Sequence, residues 1–151
     1  MSGIVGWRRW RFLVASVLLA VAAGCADGPK GETAMSAAER EIPPDSTWLA
    51  EDIGGRGVID NAQTTLSFAA EGGVSGSGAC NRYSGRATIA GGTISFGPLA
   101  ATRRACPPAL MDQEQRFFNA LVTTRSYAVD GPFLIFYDQA GQPLVKFTRQ
   151  T

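Results

Sequence analysis

The sequence predicts a mainly β (α+β) domain: a small antiparallel β-barrel-like sheet with one α-helix packed on it. Two patterns carry that expectation. From Thr47 onward, apolar residues mostly recur at every second position, and Gly-rich turns separate the runs. One segment breaks the rhythm: between Pro108 and Val122, Leu110, Met111, Phe117, Phe118, Leu121 and Val122 form a helical stripe. Composition agrees. The 151 residues include 18 Gly and 8 Pro, which favour turns, and 45% hydrophobic with 18% charged residues is a globular balance.

The elements follow in order. Residues 1–11 carry Arg8, Arg9 and Arg11 and no acid, and Phe12 to Ala23 is an apolar run. A basic start and a short apolar stretch read as a secretory signal peptide over 1–24, because a spanning helix needs roughly 18 apolar residues or more. The run ends in Ala22-Ala23-Gly24-Cys25, small residues before a Cys, which resembles a bacterial lipobox. Cys25 is therefore the expected lipidation site. Ordinary cleavage at Ala20-Val21-Ala22 is the alternative, and Arg8-Arg9 matches a twin-arginine signal poorly. Ala26 rather than Asp after the Cys points to the outer membrane, facing the periplasm, as the place of anchorage in the cell envelope. Residues 25–44 are rich in Ala, Gly, Pro, Glu and Lys and read as a lipidated N-terminus and flexible linker with a reach of roughly 25 Å.

The folded domain is expected over 45–151. Thr47 to Ile53 is a first strand closed by Gly54-Gly55, and Thr64 to Ala69 alternates cleanly before a turn at Glu71-Gly72-Gly73. Val74 to Ala79 is a small-residue strand. Tyr83 to Ile89 turns at Gly91-Gly92 into Thr93 to Phe96. Pro107-Pro108 suits a helix start, with Asp112 and Glu114 in early turns where the helix dipole favours acids. Tyr127 to Val129, Phe133 to Tyr137 and Leu144 to Thr148 are the closing strands, separated by Asp130-Gly131-Pro132 and Gln139-Ala140-Gly141.

With Cys25 lipidated, Cys80 and Cys106 remain. In an oxidising compartment they are expected to form a disulfide, worth on the order of 3 kcal/mol in the entropic account; two free buried thiols are the alternative. Without the three N-terminal Arg the chain has eleven basic and thirteen acidic residues, so no basic stripe suits nucleic acid. The chain has no His, which excludes Ser-His-Asp and Cys-His nucleophiles and His metal ligands, and two Cys cannot build a four-Cys zinc site. Ser75 does not complete a G-x-S-x-G elbow, and Gly72 to Gly78 lacks the Lys of a phosphate loop. Glu51 and Asp52, adjacent on a strand, are expected to face opposite ways. Asp112 and Glu114, two apart on a helix, do not face each other. No catalytic residue, metal or cofactor is assigned.

One polar cluster stands out: Asn81-Arg82-Tyr83-Ser84-Gly85 with Thr102-Arg103-Arg104. A Cys80–Cys106 bridge would bring the two segments together. Asn81, Arg82, Tyr83, Arg103 and Arg104 are thus candidate binding residues for an anionic group, such as a lipid headgroup, a glycan or an acidic partner loop. The plainer reading is that Asn81 caps a tight turn and the Arg residues are solvated.

The residues also carry a wider pattern. Thr47-Trp48-Leu49, Phe68, and Val74-Ser75-Gly76-Ser77-Gly78-Ala79-Cys80-Asn81-Arg82-Tyr83-Ser84-Gly85 resemble the core of the META domain, the HslJ-like family. Phe96-Gly97-Pro98-Leu99-Ala100-Ala101-Thr102-Arg103-Arg104-Ala105-Cys106-Pro107 resembles its second motif, and Met111, Glu114, Phe117, Ala120 and Leu121 its helix. Leu134, Asp138, Gly141, Leu144 and Phe147 fit its closing hairpin. The resemblance spans about Thr47 to Arg149. Two departures show: Ala79 where the family usually has Gly, which asks for room for a methyl group, and Arg104 where it usually has Met.

The resemblance implies an antiparallel barrel-like fold with a helix, an envelope location, links to stress and antibiotic tolerance, and no established enzyme activity. Glu114 matches a family position and could form a buried salt bridge with an Arg. The first expectation is a non-enzymatic, monomeric envelope lipoprotein supporting outer-membrane integrity or stress tolerance. It is held to the membrane by its anchor, with an envelope protein or glycan as partner. The second is a small-barrel inhibitor, lysozyme-inhibitor-like, acting through an Arg82-Tyr83-Ser84-Gly85 loop. An enzyme working through carboxylates such as Glu114 ranks last.

Overall fold

The computed structural model describes residues 41–151; the expected signal peptide, Cys25 and most of the expected linker lie outside the described residues. Nine strands and one helix follow in chain order: β1 (Ser46–Ile53), β2 (Thr65–Phe68), β3 (Gly73–Ser77), β4 (Arg82–Ala90), β5 (Thr93–Phe96), β6 (Ala100–Ala101), α1 (Pro108–Thr123), β7 (Ser126–Asp130), β8 (Phe133–Tyr137) and β9 (Pro143–Gln150). Eight of the strands close an antiparallel ring, β1-β2-β3-β4-β5-β7-β8-β9 and back to β1. The two-residue β6 adds to β4, pairing Tyr83 with Ala101 and Ser84 with Ala100. The barrel and its single helix are thus those the alternation predicts. β6 was not legible, since two Ala carry no pattern.

Alternation puts one face of each strand inside. Trp48 and Ala50 of β1, Leu66 and Phe68 of β2, Tyr83 and Ala87 of β4, Leu134 and Phe136 of β8, and Val145 and Phe147 of β9 are all buried. In β1 the inward positions change from even to odd: Ser46, Trp48 and Ala50, then Ile53. A β-bulge causes this, because Ala50 pairs with Phe147 but Asp52, not Glu51, pairs with Lys146. Glu51 and Asp52 therefore do not sit on opposite faces of a regular strand. Glu51 lies near Lys146, and Asp52 accepts the Gly55 N–H.

The helix closes one end of the barrel. Pro107 precedes it and Pro108 opens it, where a missing N–H costs nothing. Phe117 and Leu121 are fully buried, and each such side chain contributes roughly 1.5–3 kcal/mol. Phe117 meets Phe147 edge-on at 6.3 Å and Tyr83 at 5.7 Å, so the helix packs into the barrel's own aromatic core. Gln113, also fully buried, takes the Ile59 N–H on Oε1 and gives Nε2 hydrogens to Ala62 O and Thr64 Oγ1. That bracket pins the β1–β2 loop to the helix. Thr124 ends the helix, its N–H and hydroxyl both bonded to Ala120 O. Ile42 joins the core at 9% exposure, so the packed unit takes in a residue ahead of the expected Asp45 boundary. All these elements and the whole core lie between Ile42 and Gln150.

Candidate functional site

The two sequence motifs meet where β3 turns into β4. Gly78 N–H donates to Asn81 O, closing a tight turn that contains Ala79 and Cys80. Ala79 has φ 96°, a left-handed conformation that side chains resist. The departure from the family's Gly is therefore more than a matter of room for a methyl group; it strains the backbone. Cys80 and Cys106 are joined, with Cα atoms 6.0 Å apart, and tie this turn to the segment before α1.

Asn81, 3% exposed, is the centre of the arrangement. Its backbone N–H donates to Glu114 Oε2 at 2.6 Å and its Nδ2 to Glu114 Oε1 at 2.8 Å. Its Oδ1 accepts from the Thr102 hydroxyl at 2.8 Å and the Arg104 N–H at 2.7 Å. One side chain thus joins the turn, the helix and the β6 segment. Glu114 is 7% exposed, and its partner is an amide rather than the Arg that a buried salt bridge would need. The close approach requires Gly78, where a Cβ would stand 2.9 Å from the Glu114 side chain. The Asn81–Glu114 pair links positions 33 apart, and no local signal in either residue's surroundings announces it. Asp112 is separate from this pair and bonds Arg116 one turn along the helix.

The candidate binding residues therefore divide. Asn81 is consumed in holding the fold together, as a turn-and-helix bracket rather than a simple cap. Tyr83 points into the barrel, 3% exposed, where its hydroxyl donates to Thr65 O at 2.8 Å. Burial pushes its pKa upward. Arg82-Tyr83-Ser84-Gly85 is not a loop: it lies in β4, paired with β3 on one edge and, at Tyr83 and Ser84, with β6 on the other. An inhibitory loop at this place is thereby lost. Arg82, Arg103 and Arg104 are exposed and make no ion pair among the described residues.

On the outer face of β3, β4 and β6 lies an open groove of about 620 Å³, lined by Ser75, Gly76, Arg82, Ser84, Ala100 and Thr102 among others. Ser75 pairs with Ser84, and Ser84 with Ala100, so the floor is a row of small side chains across three strands. Gly76 is needed by the inner face, since a Cβ there would stand 2.0 Å from Thr65 O. Among the described residues no group of three His, Cys, Asp or Glu could hold a metal ion.

The closed barrel, the capping helix and the bridged Cys-Asn turn define a small, mostly β module. The META domain family matches residues 41–151, and the chain belongs to that family. Two proteins with NMR structures share the fold. One, from Burkholderia xenovorans, has 24% identity and a TM-score of 0.60 over 82% of this chain and 99% of its own. The other has 24% identity and a TM-score of 0.57 over 69% and 88%. No match was found among curated proteins.

Proposed function

We propose that this chain is a non-enzymatic, lipid-anchored envelope protein whose META domain is a binding module that supports outer-membrane integrity or stress tolerance. The observation that carries the reading is the run of Arg8, Arg9 and Arg11, an apolar stretch, Ala22-Ala23-Gly24-Cys25 and a polar linker, placed directly before a META domain. The Cys80–Cys106 bridge supports it, because such bridges persist in oxidising compartments. The bonding of Glu114 supports a structural role for that carboxyl, since both oxygens are taken by Asn81.

The test is fractionation of the native protein and a Cys25→Ser variant after metabolic labelling with a fatty acid. The native protein should carry label and sediment with the outer membrane. The variant should be unlabelled and either soluble in the periplasm or uncleaved. A processed, membrane-bound Cys25→Ser protein would overturn the anchor.

A further inference from the structure

Charge is unevenly placed along this chain. Residues 72–111 contain Arg82, Arg86, Arg103 and Arg104 and no Asp or Glu, while all ten acidic residues of 41–151 lie outside that stretch. The stretch supplies β3, β4, β5 and β6, which are neighbours in the wall. It also supplies the residues that line the outer groove. The near-neutral net charge of the domain conceals this, because screening over about 8 Å makes a surface respond to local charges rather than to the total.

The groove's chemistry narrows its occupant. Arg82 lines it, and Thr102, whose N–H donates to Arg82 O, leads directly into Arg103 and Arg104. The floor offers the hydroxyls of Ser75 and Ser84. The exposed large apolar residues Ile59, Ile89, Met111 and Val122 do not line it, so it lacks the apolar anchors that dominate protein–protein contacts. Tyr83, the aromatic in its lining, is 3% exposed with its hydroxyl bonded to Thr65 O inside the barrel, so it offers no ring face on which a sugar or base could stack. Small donors beside the unpaired Arg82 guanidinium, with Arg103 and Arg104 following Thr102 at the groove's edge in sequence, suit a hydrated phosphate.

The geometry points to this wall as a docking site for the phosphate headgroups of an anionic membrane surface. Arg82, Arg103 and Arg104 supply the attraction, and the groove between β3, β4 and β6 receives a headgroup. The inference rests on the membrane-anchored reading, which holds the domain within roughly 25 Å of headgroups. Docking would turn a tethered domain into one with a fixed face toward the membrane.

The test uses the chain from Ala26 onward, which holds every element between Ile42 and Gln150 but no lipid. It is floated with vesicles of phosphatidylcholine, with and without added phosphatidylglycerol. Binding should appear only with phosphatidylglycerol and fall as salt is raised. Each of Arg82→Gln, Arg103→Gln and Arg104→Gln should weaken it on the order of fivefold, and the triple variant on the order of a hundredfold. The Arg56→Gln, Arg149→Gln pair, exposed positions outside the acid-free stretch, should change binding far less. Equal flotation with neutral vesicles, or an equal loss from the control pair, would overturn the proposal. So would displacement by inorganic phosphate at constant ionic strength, which would assign a pocket for a free anion. Because this chain lacks Cys25, a failure here leaves the fractionation result untouched, and a failed anchor leaves this result readable.

Discussion

Ala79 carries the most backbone strain visible at a single side chain in the bridged turn. At φ 96° its Cβ crowds the backbone, at a cost of about 1 kcal/mol relative to glycine. Ala79→Gly should therefore stabilise the oxidised protein by about 1 kcal/mol, a rise of about 4 °C in Tm, despite the extra freedom glycine gives the unfolded chain. Urea and thermal unfolding measure this, and an unchanged or lower Tm would show that the turn accommodates the methyl group without strain. Tyr83 sets a pH limit. Burial raises its pKa above the ordinary tyrosine value of about 10, and Tyr127 is raised too, by burial first and by Glu41 second. Below about pH 10 both are neutral in folded and unfolded chains alike. Above it the unfolded chain releases protons that the folded one keeps. Stability is thus fully present below pH 10 and falls as pH rises, with a limiting slope of about 1.4 kcal/mol per pH unit from the buried Tyr83. Tyr83→Phe should lower stability at neutral pH by losing the bond to Thr65 O, yet flatten the alkaline slope. Identical slopes for the two proteins between about pH 10 and 11.5 would remove Tyr83 as the cause.

Strand pairs differ in how firmly they close the ring. β1 and β9 share six paired positions, from Thr47 with Gln150 to Ile53 with Val145. β5 and β7 share one, Thr93 with Ser126, flanked by bonds from Ile94 N–H to Arg125 O and from Tyr127 N–H to Gly92 O. This is the seam of the barrel, and local opening starts where few bonds must break. Native-state hydrogen exchange should find the Ile94 and Tyr127 amides less protected than those of Val145 and Phe147 in β9. Equal protection would mean that the ring opens only by global unfolding. The helix works against opening, since Phe117 and Leu121 are fully buried and α1 packs against β1, β5 and β9. The same element holds the opposite motif, with Glu114 gripping Asn81 and Gln113 gripping the β1–β2 loop.

At the scale of the molecule, the succession of strands along the chain and the helix position were legible because both are written locally. Period two in Thr64 to Ala69 and the stripe of Leu110, Phe117 and Leu121 need no knowledge of distant residues. The pairing of Cys80 with Cys106 was legible for another reason: with Cys25 assigned to lipid, no other partner remains among three cysteines. The motif Asn81-Arg82-Tyr83 shows where such reading stops. Its three neighbouring residues have three different fates: a buried bracket, a solvated charge and a core aromatic. Strand alternation separates Arg82 from Tyr83 only once β4 is known to begin there, and Asn81 is buried only because α1 brings Glu114 to it. The acid-free stretch from Gly72 to Met111 can be counted in the sequence, but its meaning depends on β3, β4 and β6 lying side by side. The sequence by itself therefore determined the elements other than β6, their order along the chain, the cysteine pair and the family pattern, because periodicity and composition are properties of nearby residues. Only the tertiary structure decided which residues of the Cys-Asn turn are spent on stability and which stay exposed. That division depends on register and on contacts between positions tens of residues apart.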